Sequence, residues 1–153
     1  MCMMVYLAAN KPLPLVPRDE QNPSFNVSEL NVAYSNGVER QFRKTYIYEV
    51  GAYGGCGCGF SYGQYEGADE QEEAASRESV RRLSEYLSEA KKEAGLLELY
   101  ACWDGDQHLP PDRRIVLRLS EIGGDKFQFE ERTYARVVTD DPAMRMIRGT
   151  KGR

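Results

Sequence analysis

The sequence predicts an α+β domain: a mostly antiparallel sheet with one main amphipathic helix packed on one of its faces. Three observations predict it. Short β-type runs stand on both sides of one long stretch with helical apolar spacing. A single helix cannot cover both faces of a parallel sheet. The chain has 153 residues, 41% hydrophobic and 29% charged, which suits one domain that folds without a staple or metal.

In chain order, Met3 to Ala8 is a short apolar run ended by Asn10 and reads as a buried strand. Pro12, Pro14 and Pro17 forbid regular helix and central strand. Leu13, Leu15 and Val16 lie among them, so this segment is expected to be an extended arm with its aliphatic side chains on the core. Phe25 and Val27 suggest a second strand, and Asn36-Gly37 a turn. Thr45 to Val50 is rich in Tyr and β-branched residues and predicts a third strand. Gly51 ends it and opens a loop to about Gly67.

Asp69-Glu70-Gln71-Glu72 has the look of a helix cap with an acidic first turn. Val80, Leu83, Leu87, Ala90 and Ala94 form one apolar stripe, which predicts a helix over 77–94, with 68–76 as a frayed extension. Gly95 is a natural terminator. Leu96 to Trp103 predicts a central strand, with Leu97, Leu99, Ala101 and Trp103 on one face and Tyr100 and Cys102 on the other. Ile115, Leu117 and Leu119 alternate with polar residues, Gly123-Gly124-Asp125 signals a turn, and Phe127 to Val138 reads as a long returning strand. That pattern predicts a hairpin.

Charge and hydropathy exclude several classes of function. The net charge of −4 and a pI near 5.2 supply no concentrated positive field, so neither nucleic acid nor an anionic membrane is an expected partner. The one basic stretch is the end of the chain (Arg145, Arg148, Lys151, Arg153), expected to be a flexible tail over about 140–153. No run approaches the roughly 20 apolar residues of a membrane span. Met1 to Ala9 lacks the basic lead and the length of a secretory signal, so a cytoplasmic setting is expected. The four cysteines (Cys2, Cys56, Cys58, Cys102) are then expected as reduced thiols or metal ligands.

The most unusual stretch is Gly51-Ala52-Tyr53-Gly54-Gly55-Cys56-Gly57-Cys58-Gly59-Phe60. Glycine is used where backbone must take a positive φ or approach something closely. Two thiols among glycines can aim at one ion, as thiolates do for zinc or an iron–sulfur cluster. Cys102 is the expected third ligand, from the neighbouring strand, with His108 or Cys2 as a fourth. The spacing is Cys-x-Cys, not the more diagnostic Cys-x2-Cys. Alternatives from the same residues are a strained, reducible Cys56–Cys58 pair, a reactive thiolate, or a Gly-rich phosphate cradle. The blandest is a close-packed turn in which the thiols are small hydrophobes.

Three other features invite function. Cys2 follows the initiator Met, so removal of Met1 would expose an N-terminal nucleophile. In that respect alone the start resembles N-terminal-nucleophile amidohydrolases, although the chain is short for their four-layer fold. Asp104, Asp106 and Asp112 surround His108 but fit no EF-hand, and turn chemistry accounts for them. Tyr46, Tyr48, Tyr53, Tyr62 and Tyr65 cluster in sequence. If they share an exposed face, a homo-oligomer or a protein partner is the expected non-enzymatic role.

Met1-Cys2 with Tyr6-Leu7-Ala8, Pro12-Leu13-Pro14-Leu15, Gly55-Cys56-Gly57-Cys58-Gly59-Phe60 and Tyr100-Ala101-Cys102-Trp103-Asp104-Gly105 together resemble a family of small bacterial proteins. The resemblance implies a bacterial origin. It implies no activity, cofactor or partner.

Overall fold

The computed structural model describes residues 1–140. Apart from its first residue, the expected basic tail lies outside them. Six strands form one sheet: β1 (Met3–Ala9), β2 (Phe25–Glu29), β3 (Tyr46–Ala52), β4 (Leu97–Trp103), β5 (Arg113–Arg118) and β6 (Thr133–Val138). Their spatial order is β2-β3-β1-β4-β6-β5. Every pairing is antiparallel except β5 with β6. One long helix, α1 (Glu70–Ala94), lies on one face. The chain is therefore α+β with a mostly antiparallel sheet, as its sequence predicts.

The most apolar strands take the middle of the sheet. β1 and β4 pair along their whole length, from Met3 opposite Trp103 to Ala9 opposite Leu97. The pleat sends Leu97, Leu99 and Ala101 toward α1, where they meet Val80, Leu83, Leu87 and Ala90. Tyr100 and Cys102 point the other way, into a smaller cluster with Tyr6 and Val38. That second face is roofed by two 3-10 turns, Val32–Tyr34 and Val38–Gln41, and by the loop after β4. Buried Gln107 stitches the roof down. Its side-chain amide donates to the Tyr6 hydroxyl and to Asp104 Oδ1, while its backbone carbonyl accepts from the Gln41 side chain.

The helix begins at Glu70, several residues ahead of its apolar stripe, so 70–76 is helix and not a frayed extension. Asp69 Oδ1 accepts from the amides of Gln71 and Glu72, and three glutamates face the positive end of the helix. Glu73 also accepts from the Gly63 amide, tying the first turn to the preceding loop.

The arm is only partly as expected. Leu13 is buried and Val16 half-buried, but Leu15 is 49% exposed. Val16 forms an antiparallel bridge with Val27, so the arm covers the open edge of β2.

The predicted hairpin at the end of the chain is replaced by a crossover. β5 and β6 run parallel, in register from Arg113 opposite Thr133 to Arg118 opposite Val138, and β6 starts only at Thr133. Parallel neighbours need a long connection, which residues 119–132 supply. This connection runs over the helix side of the sheet, where Ile122, Phe127 and Phe129 pack on the core and Phe127 bridges Tyr62. Arg132, at φ 50°, turns the chain into β6. The alternation of Phe127 and Phe129 is thus satisfied by packing beside α1, not by a ladder.

Candidate metal centre

The Gly/Cys loop is built on the end of β3. The Ala52 amide donates to the Cys56 carbonyl and the Gly55 amide to the Ala52 carbonyl, which closes a tight turn. The Tyr53 amide donates to Ser79 Oγ on α1, and Ser79 Oγ in turn donates to the Ser24 carbonyl. A short 3-10 turn follows, Gly57–Gly59, and Phe60 anchors it fully buried in the core. The turn rests on β1. A Cβ at Gly57 would lie 2.5 Å from Val5 Cγ2 and 2.9 Å from the Met3 carbonyl oxygen, so only glycine permits this approach.

The close contact carries Cys58 to the start of β1, where its sulfur accepts the Met3 amide proton at 3.1 Å. Cys2 is the preceding residue, and its carbonyl accepts from the Asp104 amide at 2.8 Å. Cys2, Cys56 and Cys58 consequently form one group, their sulfurs within 4.8 Å of one another. Cys2 and Cys58 are exposed and Cys56 half-buried. Burial pushes the Cys58 thiol above its ordinary range and the adjacent Cys56 adds to this, with the Met3 amide and Cys2 pulling the other way.

Of the residues read from the sequence as ligands, Cys56 and Cys58 meet. Cys102 and His108 are not in their group. Cys102 stands on the opposite face of the sheet, fully buried with Tyr6, Val38 and Tyr100, because the pleat puts it in phase with Tyr100 and out of phase with Trp103. Its thiol is pushed up to about 12, by burial first and then by Asp106 and Asp104. His108 is exposed on the roof loop, with Nδ1 3.3 Å from the Asn36 side-chain amide. Cys2, the alternative fourth ligand, occupies the third place. The available signal was its position at the head of a strand that the glycine loop must touch.

Other candidates resolve into structural roles. Asp104 holds Gln107, and Asp112 pairs with Arg132 at 3.2 Å. The five tyrosines share no face. Tyr48 and Tyr62 are buried, with their hydroxyls hydrogen-bonded to the Leu13 amide and the Gly124 carbonyl, and Tyr53 is half-buried. Only Tyr46 and Tyr65 are exposed. One sheet with one long helix is also not the four-layer architecture of the amidohydrolases whose start Cys2 resembles.

Beside the thiols opens a cleft of about 370 Å³, lined by Cys58, Met3, Phe60, Trp103, Phe129 and Glu131 among others. Cys58 is the one thiol of the three on its wall.

The fit of Gly57 gives a direct prediction. Gly57→Ala is expected to lift the loop off β1, break the Met3–Cys58 hydrogen bond and destabilise the fold by about 1–3 kcal/mol. Urea unfolding measures the loss, and the alkylation rate of Cys58 should rise in the same variant.

Comparison with known proteins gives no match to a family model, to a curated protein or to a solved structure. The site is therefore read from its own chemistry.

Proposed function

We propose that the chain is a cytoplasmic metal-binding module in which Cys2, Cys56 and Cys58 hold one thiophilic divalent ion, zinc in the first instance. The convergence of three thiols from two distant segments within 4.8 Å carries this reading. Zinc–sulfur bonds near 2.3 Å place tetrahedral ligands roughly 3.8 Å apart, so small side-chain rotations complete the site. Three protein ligands leave a fourth position for water or an added ligand, and the cleft beside Cys58 gives access to it. Iron–sulfur clusters take about four cysteines, so three thiols favour zinc. The cytoplasmic setting fits free, exposed thiols, which persist where glutathione and thioredoxin keep them reduced. The bacterial origin rests on the family resemblance alone.

Thiol catalysis is the weaker reading. A nucleophilic cysteine needs a depressed pKa, and that of Cys58 is raised.

The test is a zinc titration of reduced protein with thiol alkylation as readout. One equivalent of zinc is expected to protect Cys2, Cys56 and Cys58 together, while Cys102 resists alkylation with or without metal until the chain is unfolded. If Cys2, Cys56 and Cys58 react at the same rate with and without zinc, the proposal fails.

A further inference from the structure

The roofed face of the sheet carries a second built feature, unconnected with the thiols. Where the roof ends, a cleft of about 420 Å³ opens above β4, β6 and β5. Four cations line it: Arg43 and Lys44 from the end of the roof, Arg114 from β5 and Arg136 from β6. The strand register explains their meeting. Arg114 lies opposite Tyr134, and Arg136 is opposite both Val116 and Glu98, so these side chains stand in adjacent rows on one face. None of the four cations is in an ion pair with a described residue.

One carboxylate, Glu98, is in the cleft, and its oxygens are already engaged. Oε1 accepts from the amides of Arg43 and Lys44 at 3.1 and 3.0 Å, and Oε2 accepts from the Tyr134 hydroxyl. Glu98 therefore works as a buried rivet that holds the roof to the sheet and presents Arg43 and Lys44 at the cleft mouth. The Arg114 guanidinium carbon lies over the Tyr134 ring, 4.9 Å from its centroid, a cation–π contact that holds it at the cleft wall. Leu96 and Val116, 46% and 47% exposed, add apolar wall.

We propose that this cleft binds a small organic phosphate, with the phosphate held by Arg43, Arg114 and Arg136 and its carbon skeleton lying along Leu96 and Val116. Guanidinium groups match phosphate oxygens in a two-pronged geometry, and the volume falls within the range of small-molecule sites. A small ligand is favoured over a nucleic-acid strand because the cations are confined to one cleft on a chain of net charge −4. The zinc proposal neither requires this site nor supports it.

Phenyl phosphate serves as the probe, titrated into isotopically labelled full chain and followed by amide NMR in 150 mM salt, where diffuse attraction is screened over about 8 Å. Shift changes are expected at residues 43–44, 96–98, 114–116 and 134–136, with tighter binding than inorganic phosphate. Arg114→Gln combined with Arg136→Gln, two exposed positions, should weaken binding by on the order of tenfold or more. Lys126→Gln, outside the cleft, should change it less than twofold. Should the double variant unfold, Arg43→Gln and the wild-type shift map carry the test. Shifts scattered over the surface, equal affinity for inorganic phosphate, unchanged binding in the cleft-arginine variants, or tighter binding of a short oligothymidylate would each overturn the proposal.

Discussion

Zinc affinity is expected to fall by on the order of a thousandfold in Cys58→Ser, more than the roughly ten- to hundredfold typical of losing a residue that only hydrogen-bonds a ligand. Cys58 sits between the other two thiols in its contacts: its sulfur takes the Met3 amide and has Cys56 and Cys2 as neighbours. It is also exposed, so serine at this position should leave the fold intact. Competition with a chromophoric chelator measures the loss. Cys102→Ser makes the contrast. It should leave zinc affinity within about twofold and instead lower stability by about 1–3 kcal/mol, because a hydroxyl enters a site built for an apolar thiol. Equal loss of zinc affinity in both variants would remove the loop from consideration. The pH dependence has a definite sign. A thiol raised above its ordinary range is protonated at neutral pH, so binding must release protons. Affinity should therefore increase with pH until the thiols are ionised.

The second large effect is loss of the fold in alkali. Burial is the main cause pushing Cys102 up to about 12, and Tyr86, Tyr100 and Tyr134 likewise to about 12. Tyr6 is raised for the same reason. These groups hold protons in the folded chain that the unfolded chain releases at ordinary thiol and phenol values. Their contribution is thus fully present below about pH 9 and is lost as pH climbs toward 12. At ~1.4 kcal/mol for each pH unit in which only the unfolded thiol is ionised, Cys102 alone removes on the order of 4 kcal/mol by pH 12. That is a large share of the roughly 5–15 kcal/mol that holds a typical domain folded. Melting temperature followed by circular dichroism from pH 8 to 12 should fall steeply, and Cys102→Ala should flatten the decline. An unchanged slope in that variant would mean that Cys102 ionises at an ordinary pH.

Much of this architecture is legible in the residues, because hydrophobic spacing reports which face is buried. The central position of β4, the division of its side chains between two faces and the stripe from Val80 to Ala94 all follow from that signal. Spacing carries no information about strand direction, so Phe127 and Phe129 look like a returning strand when they belong to a crossover. The helix start was marked by its cap chemistry, which outweighs the polar first turns. At the site, the glycine pattern announces a close backbone approach but not what is approached. Choosing Cys2 over Cys102 requires knowing that the loop lands on the first residues of β1 and on the helix side of the sheet. Chemistry spread over several strands is harder still to see. Arg114 and Arg136 come together through pairing register and Arg43 through the bond from its amide to Glu98, and no stretch of sequence contains all three.

The strand that opens the chain is also a middle strand of the sheet, held by β3 on one side and by β4 on the other. Its two sides are closed by segments far apart in sequence, β3 at Tyr46–Ala52 and β4 at Leu97–Trp103. Met3 meets Trp103 only when the later of the two is in place, and the Cys2 carbonyl meets the Asp104 amide with it. In the proposed site, a fixed Cys2 therefore depends on β4 being docked. Cutting the chain before β4 is expected to leave β1 with one unpaired, strongly apolar side and Cys2 without its Asp104 anchor, even where β3 still holds the other side.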